Sequence, residues 1–570
     1  MVIHSKEGIT QGDCFAMSLY GVALLPLATK MREEFPTALQ PWFADDSGAA
    51  GEARVNAGCL NFLVKFGPKY GYFADPSKSH YICKLEDEDK AKSEFERLGL
   101  DINFSRGERY LGGFIGSGAS KKQWLGDMVE KWVAAVETLA LVAVKYPQTA
   151  YAGFTFCLQN EWQYLQRVVA DTAPFFDPLE KAIRSKFIPA LLGLRADEIT
   201  GKYRELLTHS VTKGGLAIRN PVDTAAYVHA ASKEATLHLT CSLIDDDVKF
   251  DLYVHLATAR AAGQAARSGR LEREQRHRNA RARDSVTDGR RDKRNSASGV
   301  WLTIVPSRLN GTGISAEEWR DNVRLRYNHL PIDMPERCDG CNCRMTILEH
   351  ALSCKKGGLV HIRHDDVADE WRHLCGTALS FGRVEREPRI YSSVGRLARE
   401  VGDTVAETPT TGELDEMQTT GERGDAGVHG FWQRGRQAIF DVRITDTDAR
   451  SARGRDFTKI LASHEKEKKD KYLQPCLQMR KDFTPLVYTV DGIAGREARN
   501  AEKRLASHLG TKWRKGYSEM VHYVRVRMAL AVVRSNSLLI HGSQERQRAP
   551  QPQIADGSAL LDWQTWQDRP

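Results

Sequence analysis

Four metal-binding side chains lie within one short stretch of this chain, at Cys338, Cys341, His350 and Cys354. A Cys-x2-Cys turn presents two thiolates to one ion, and a histidine and a cysteine four residues apart share one face of a helix. Four ligands of this kind complete the tetrahedral shell of Zn²⁺ and leave no open position. We therefore predict one structural zinc ion here, because the spacing favours zinc over a set of buried free thiols.

The neighbours of this motif leave its ligand set open. Cys343 could replace Cys341, and His361 or His364 could serve as alternative ligands, although the residues between those two histidines suggest a strand or a loop. The chain has 11 cysteines, an odd number that argues against a secreted disulfide framework. A reducing, intracellular compartment fits this composition better.

Length and charge bound what the rest of the chain can be. At 570 residues it should hold about three or four domains. Its 82 Lys and Arg residues against 74 Asp and Glu residues give a net charge of +8, so only local clusters of charge can argue for nucleic acid. No apolar stretch is long enough to span a membrane, and the first residues lack the apolar core of a signal peptide.

A helical pattern follows residue 119. Trp124, Met128, Trp132, Val136 and Leu139 recur every three to four residues, the period of one helix face. We interpret these side chains as core packing rather than as a binding surface.

An arginine-rich segment spans residues 258–299. Such a composition cannot bury much apolar surface, so it predicts a solvated helix or a disordered linker. We slightly favour a linker that also contacts nucleic-acid phosphates over a plain connector, and Arg290 and Arg291 are the candidates for that contact.

Paired aspartates follow Phe43-Ala44 near the beginning of the chain, at Asp45 and Asp46. Alone, this pair predicts only a turn. Nucleotidyl transfer, however, uses two divalent metals about 4 Å apart, and Mg²⁺ binds carboxylate oxygens. A tight hairpin with Asp45 at its tip would supply one such carboxylate.

Three further blocks accompany that hairpin along the chain, and the block before it, at Gln11 and Gly12, favours the catalytic interpretation. The turn at Gln11 and Gly12 allows close backbone approach to a templating base or an incoming nucleotide, because glycine has no Cβ. Lys78 could place a cation beside the leaving phosphate. The third block is the run Tyr-Leu-Gly-Gly-Phe-Ile at residues 110–115, which comes after Lys78 in the chain.

A second set of carboxylates lies between residues 376 and 535. Asp441 falls within an apolar, β-branched run that predicts a buried strand, where an ionised carboxylate needs a metal or a cation. Asp425 precedes it, and Glu387 is a weaker third candidate. Such a group could bind Mg²⁺ or Mn²⁺ and activate water for phosphodiester cleavage.

Basic residues follow this second set along the chain. Arg443 lies two positions after Asp441, and arginine can bind phosphate but cannot act as a base. Lys468 and Lys471, on a predicted helix further on, could place a cation beside a phosphate.

The order of these blocks resembles the open reading frame of non-LTR retrotransposons that encode a restriction-like endonuclease. The blocks up to residue 115 are similar to a reverse transcriptase palm, in which Asp46 would have a lesser part than Asp45. In the endonuclease of that family the lysine stands on the helix that follows the strand. The resemblance therefore implies Lys468 or Lys471 as the cation beside the scissile phosphate, with Arg443 at the position where restriction-like nucleases commonly carry a lysine. The resemblance covers about residues 5–535.

The resemblance implies an α+β multidomain fold with a partial right-hand polymerase palm, a helical thumb, a small zinc-binding module and an α/β restriction-like nuclease domain. The implied order is a partial palm at 1–119, a thumb at 120–257, a basic linker at 258–299, a linker domain with a CCHC zinc knuckle at 300–375, an endonuclease at 376–535 and a disordered tail at 536–570.

The implied function is target-primed reverse transcription in the nucleus, in which the nuclease nicks DNA and the palm extends the freed end on element RNA. The implied partners are a DNA target, an RNA template and dNTPs, with Mg²⁺ or Mn²⁺ and Zn²⁺ as cofactors and no membrane.

One departure limits this expectation. The family carries a second metal-binding aspartate upstream of the Gln-Gly block, where this chain has only a few residues. We therefore expect the C-terminal part of a longer reading frame or a decayed copy, and no primer extension on an RNA template by this chain alone. Robust extension that depends on Asp45 would contradict this expectation. A catalytically dead nucleic-acid-binding remnant and a zinc-associated endonuclease alone are the alternatives.

Overall fold

The computed structural model describes residues 13–44, 46–245, 250–284, 297–338, 340–345, 348–356, 358–390, 422–449, 452 and 455–542. The described chain mixes helices and strands and is mostly helical, which confirms the predicted α+β class at that level. None of the helices in these ranges combines the length and the apolarity that a bilayer crossing requires. The chain divides into two compact units, residues 1–129 with 168–170 and residues 130–167 with 171–570.

The helices are numbered in chain order. They are α1 Ala16–Glu34, α2 Ala53–Phe66, α3 Glu88–Glu96, α4 Gly118–Lys145, α5 Pro147–Ala152, α6 Gln159–Val168, α7 Asp177–Ala182, α8 Ile188–Leu192, α9 Gly201–Thr208, α10 Pro221–Ile244, α11 Leu252–Asp284, α12 Ala316–Arg326, α13 Leu348–Ser353, α14 Leu359–Leu379, α15 Phe457–Gln478, α16 Arg496–Trp513 and α17 Tyr517–His541.

The strands are numbered in the same way. They are β1 Trp42–Phe43, β2 Asp46–Ser47, β3 His80–Ile82, β4 Asn103–Ser105, β5 Gly107–Tyr110, β6 Gly113–Gly116, β7 Val384–Arg386, β8 Ala426–His429, β9 Gln437–Thr445 and β10 Asp482–Thr489.

The first unit contains short two-stranded ladders beside helices. Strands β1 and β2 form a hairpin in which Phe43 lies opposite Asp46, as predicted for the paired-aspartate block. Strands β5 and β6 form a second hairpin, whose two turn residues, Leu111 and Gly112, have φ values of 48° and 76°. Positive φ at both central residues is what a type I′ turn requires, and glycine adopts it without strain.

Helix α4 confirms the predicted helical pattern after residue 119. Within it, Trp132 and Val136 are buried, while Trp124, Met128 and Leu139 are partly buried. Core packing therefore accounts for this face, as expected from its period.

The arginine-rich segment forms the long helix α11 as far as Asp284. It packs against α10, with Ala262 buried and the Arg273 guanidinium 4.3 Å from the ring centroid of Tyr227. Most other described side chains of this helix are exposed. Residues 252–284 thus form a solvated helix. The two predicted phosphate-contacting residues, Arg290 and Arg291, lie outside the described residues.

Helix α12 begins with a capping box. The Ser315 side chain accepts a hydrogen bond from the Glu318 N–H at 3.1 Å, and the Glu318 carboxylate accepts one from the Ser315 N–H at 2.7 Å. This reciprocal capping box satisfies N–H groups that the first turn leaves without helical partners.

A four-stranded sheet in the order β10-β9-β8-β7 forms the centre of the C-terminal region. Strands β9 and β10 are parallel and are joined through α15, while β7, β8 and β9 pair antiparallel. Helices α14, α16 and α17 cover one face, around Trp371, Phe440 and Tyr523. Helix α15 covers the other, where Tyr472 packs with Ile439.

Two helices of this region continue across predicted domain boundaries. The boundary between 375 and 376 falls inside α14, whose Trp371 and Ala378 both belong to the core under the sheet. Helix α17 continues across residue 536, the predicted start of the tail, as far as His541, with Ile540 buried. Residues 543–570 lie outside the described part.

A buried carboxyl group makes the stability of this region depend on pH. Burial raises the pKa of Glu502, on α16, from 4.5 to about 7, although Arg525 opposes the rise. Tyr488 donates a hydrogen bond to this carboxyl at 3.1 Å. Between pH 4.5 and 7 the folded protein keeps a proton that the unfolded chain releases, so stability falls as the pH rises through that window.

We expect Glu502→Gln to raise the free energy of unfolding at pH 8 by up to the order of 3 kcal/mol, with little change at pH 4.5. The amide oxygen can still accept the Tyr488 hydrogen bond, and no buried charge remains. Urea denaturation at both pH values checks this, with the exposed Glu130→Gln as control. An equal effect of Glu502→Gln at the two pH values would contradict it.

Candidate metal centre and acidic site

The predicted zinc ligands come together in the structure. The ligand atoms of Cys338, Cys341, His350 and Cys354 all lie within 4.8 Å of one another. Cys341 Sγ and His350 Nε2 are 3.1 Å apart. These four side chains could hold a metal ion such as zinc, as the spacing in the sequence predicted.

Local backbone structure positions the two halves of this cluster. The Cys338 N–H donates to Cys343 O at 2.9 Å, and the Asn342 N–H donates to Cys338 O at 2.8 Å, which closes the Cys-x2-Cys turn. On the other side, the Cys354 N–H donates to His350 O at 2.9 Å and continues the turn of α13. A tight turn and a helix end therefore present the ligands to each other.

The turn also prepares one thiolate for a metal. Burial alone would raise the pKa of the Cys338 thiol, but the N–H groups of Cys341 and Gly340 act on its sulfur, and the net pKa is lowered. A lowered pKa favours the thiolate, the form that binds zinc. Burial raises the pKa of Cys354 to about 11. Metal binding at this cluster should therefore release protons.

The alternative ligands lie outside the four-residue cluster. Cys343 is exposed, its carbonyl accepts the Cys338 N–H, and its thiol contacts Cys341. His361 and His364 lie on α14, so the strand or loop suggested for them is wrong. His361 is exposed, and His364 contacts an aspartate of the sheet. No disulfide joins the 11 cysteines, all of which fall within the described ranges.

The second site lies where β8 begins beside β9. Asp441 is buried in the middle of β9, as its apolar neighbours predicted. Asp425, just before β8, makes two contacts with the backbone on either side of Asp441. Its N–H donates to Phe440 O at 2.9 Å, and its carboxylate accepts the Val442 N–H at 2.5 Å. The two predicted carboxylates are therefore neighbours, although 16 positions separate them in the chain.

Lys468 supplies a cation to Asp441 from α15. Its Nζ lies 2.7 Å from Asp441 Oδ2, and both side chains are largely shielded from solvent, with 22% and 8% exposed. Burial raises the pKa of Asp441, the charge of Asp425 adds to that rise, and Lys468 opposes it. The ammonium thus favours the ionised form of a carboxylate that its surroundings disfavour.

His364 supplies a second cation, from α14 on the other face of the sheet. Its Nε2 lies 3.1 Å from Asp425 Oδ2, and its Nδ1 lies 3.1 Å from Asp365 Oδ1. Burial alone would lower its pKa, but the two carboxylates outweigh burial and raise the pKa to about 9. His364 is therefore protonated at neutral pH. Helix α14 also holds the Asp425 backbone, because Arg372 Nη1 donates to Asp425 O at 2.6 Å.

The sequence had offered His364 only as a spare zinc ligand. Its contact joins positions 61 residues apart, and no local pattern connects a histidine in one helix with an aspartate before a later strand.

The other predicted residues of this region form separate pairs. Lys471 Nζ lies 3.1 Å from Glu422 Oε1, and Arg443 Nη1 lies 2.7 Å from Glu467 Oε2. Glu387 is 56% exposed and contacts Arg423 at 3.9 Å. Of the two candidate lysines, Lys468 is thus the one that forms an ion pair with Asp441.

Of the predicted palm residues, the structure describes two. Asp46 is exposed in β2, and Lys78 is 84% exposed at the end of a short 3₁₀ helix, 3.5 Å from Asp75. Gln11, Gly12 and Asp45 lie outside the described residues.

Comparison with known proteins adds no relative: no protein-family model matches this chain, and no curated protein matches it either.

Proposed function

We propose that this chain belongs to the reverse transcriptase and endonuclease of a non-LTR retrotransposon, and that its C-terminal region nicks DNA. The observation that carries the nicking activity is the juxtaposition of Asp425 and Asp441, with Lys468 Nζ 2.7 Å from Asp441 Oδ2. An acid before one strand, an acid within the next and a lysine on the following helix are the elements expected of a restriction-like nuclease.

Asp425 and Asp441 would hold the Mg²⁺ or Mn²⁺ of this reaction. Mg²⁺ commonly takes one or two carboxylates from the protein and completes its shell with water and phosphate oxygens. The pair suits this role, because the charge of Asp425 raises the pKa of the buried Asp441 and a bound cation would relieve that repulsion. When bound, the ion would polarise water and the scissile phosphate.

The chain's own cations complete the site. Lys468 places positive charge beside the carboxylate that faces the substrate, where negative charge grows on the phosphate as the bond breaks. His364 and Arg372 keep Asp425 in place through its carboxylate and its carbonyl. We assign Lys468 a catalytic role and His364 a positioning role.

The polymerase part of the proposal rests on the ordered sequence blocks. The β1–β2 hairpin, with Phe43 opposite Asp46, supports it, because a hairpin is the expected form of the paired-aspartate block. An RNA template, dNTPs and target-primed synthesis in the nucleus follow from the family resemblance. The Cys338, Cys341, His350 and Cys354 cluster would hold structural zinc.

Two alternatives use the same residues. A zinc-associated endonuclease would nick DNA without any role in reverse transcription. A binding remnant would retain the zinc centre and the basic surfaces, but neither reaction. Nicking excludes the remnant.

The test is nicking of supercoiled plasmid by the full chain in Mg²⁺ or Mn²⁺. We expect Lys468→Met to slow nicking by about 100-fold, the usual cost of removing one group that stabilises developing charge. Lys466→Met is the matched control, because Lys466 is exposed on the same helix. Equal slowing by both variants would remove Lys468 from the site. Failure of the wild type to nick, with DNA still bound, would favour the binding remnant.

A further inference from the structure

Three surface segments meet where strands β9 and β10 begin: the turn between β8 and β9, the turn between α15 and β10, and the segment that follows β7. Arg436 joins the two turns, because its Nε donates to Arg480 O and its Nη2 donates to Lys481 O, both at 3.3 Å. Lys481 joins the third segment, since its Nζ donates to Arg389 O at 2.8 Å. Hydrogen bonds from charged side chains to backbone carbonyls therefore hold the three segments together.

These segments carry many cations and few carboxylates. Within residues 388–390, 430–436 and 479–482 the cations are Arg389, Arg434, Arg436, Arg480 and Lys481, which we call the basic patch. The only carboxylate side chain in these ranges is Asp482, and Arg436 Nη2 already pairs with its Oδ1 at 3.1 Å. The patch therefore has a local excess of positive charge.

The fold explains only some of these charges. Arg436 and Lys481 hold the backbone, and a cation just after the last turn of α15, such as Arg480, interacts favourably with the helix dipole. The guanidinium groups of Arg389 and Arg434 are exposed and make no hydrogen bond or ion pair within the described part of the chain. Like charges that the fold holds together with a single acidic neighbour repel each other, and a bound polyanion removes that repulsion.

We propose that the basic patch binds the phosphate backbone of duplex DNA, apart from the acidic site. Arginine offers planar donors that match phosphate, and such contacts position DNA without reading its sequence. Asp441 lies four positions after Gln437, the first residue of β9, which is about 13 Å along the strand. The two contacts would thus lie on the order of four or more base pairs apart on one duplex. This inference rests on the proposed nicking function, since it names a second contact with the same DNA.

The experiment measures DNA binding, which needs no cleavage. A fluorescent duplex is titrated with the full chain carrying Asp441→Asn, over a series of salt concentrations. Adding Arg434→Gln and Arg480→Gln should reduce the salt dependence, the slope of log K against log salt, by about 2 and should weaken binding at low salt by about tenfold or more. The corresponding double Lys variant keeps both charges and should keep most of the slope. Arg436 stays unchanged, because it joins the two turns.

The matched control removes two exposed arginines outside the patch. Arg514 follows α16 with a φ of 55°, as Arg480 follows α15 with a φ of 54°, so the two positions share a backbone conformation and a place at a helix end. Arg308 is exposed in a turn, like Arg434. If Arg308→Gln with Arg514→Gln lowers the slope as much as the test pair does, the assignment is overturned. A loss of affinity confined to single-stranded RNA would also overturn it, because the proposed ligand is duplex DNA.

Folding of the test variant can be judged independently. Arg434 and Arg480 are both exposed, so their replacement by Gln should change the thermal midpoint little. If the double variant nevertheless unfolds, the two single Gln variants carry the test, each with an expected slope change of about 1. A nicking assay that fails for the wild type would refute the proposed function, whereas an unchanged slope in the double Gln variant would refute only this phosphate site.

Discussion

Asp441→Asn in the full chain is expected to lower the rate of metal-dependent DNA nicking by about 100-fold or more, while DNA binding changes little. The amide cannot bind a hard divalent cation as a carboxylate does, and it leaves Lys468 without its partner at 2.7 Å. Binding should persist, because it rests mainly on contacts between basic residues and phosphates.

The matched control is Asp470→Asn, the same substitution at an exposed position of α15. The two variants are compared by plasmid nicking, and DNA affinity is measured in parallel. The fold should tolerate Asp441→Asn, because burial already disfavours the charged carboxylate and Lys468 is 22% exposed and can turn towards water. Nicking by Asp441→Asn at the wild-type rate would mean that the activity belongs to another site or to a contaminant.

Cys338→Ser is expected to abolish binding of the one zinc ion per chain and to loosen residues 338–354. The binding free energy of a structural zinc ion is also local folding free energy, and a serine hydroxyl is a poor substitute for a thiolate. Elemental analysis measures the metal, and hydrogen exchange measures protection in α13. Cys343→Ser is the matched control, because that exposed thiol lies outside the ligand cluster and should retain zinc.

The same substitution should reduce nicking as well. Helix α14 begins shortly after Cys354, and it carries both His364 and Arg372, which hold Asp425. Removing a group that holds a metal ligand in place commonly lowers metal affinity or activity by about 10–100-fold. Freshly purified wild-type protein without zinc, or Cys338→Ser that still binds one equivalent, would contradict the ligand assignment and favour free thiols.

Features set by short-range geometry were predictable from the residues alone. The spacing of Cys338, Cys341, His350 and Cys354 predicted one ligand set, and in the structure their ligand atoms all lie within 4.8 Å of one another. Strand β9 matches the predicted run around Asp441, and the capping box at Ser315 begins α12. Each of these depends on neighbours a few positions apart, where sterics and hydrogen bonding follow directly from the residue types.

The tertiary structure determined which charged side chains form ion pairs with each other. Lys468 and Lys471 lie on one helix, and only its packing against β9 brings Lys468 to Asp441 and leaves Lys471 with Glu422. The pairing of His364 with Asp425 likewise depends on where α14 lies against the sheet.

The amino-acid sequence by itself therefore determined the residue types, the local elements and the ligand spacing. It did not determine the ends of the C-terminal core, because α14 and α17 continue across the predicted boundaries between residues 375 and 376 and between residues 535 and 536. Burial of Trp371 and Ile540 keeps those helices in the core, and such burial depends on long-range packing that no local pattern records. The acidic site is decided in the same way, because its four charged groups come from two strand segments and from helices on opposite faces of one sheet.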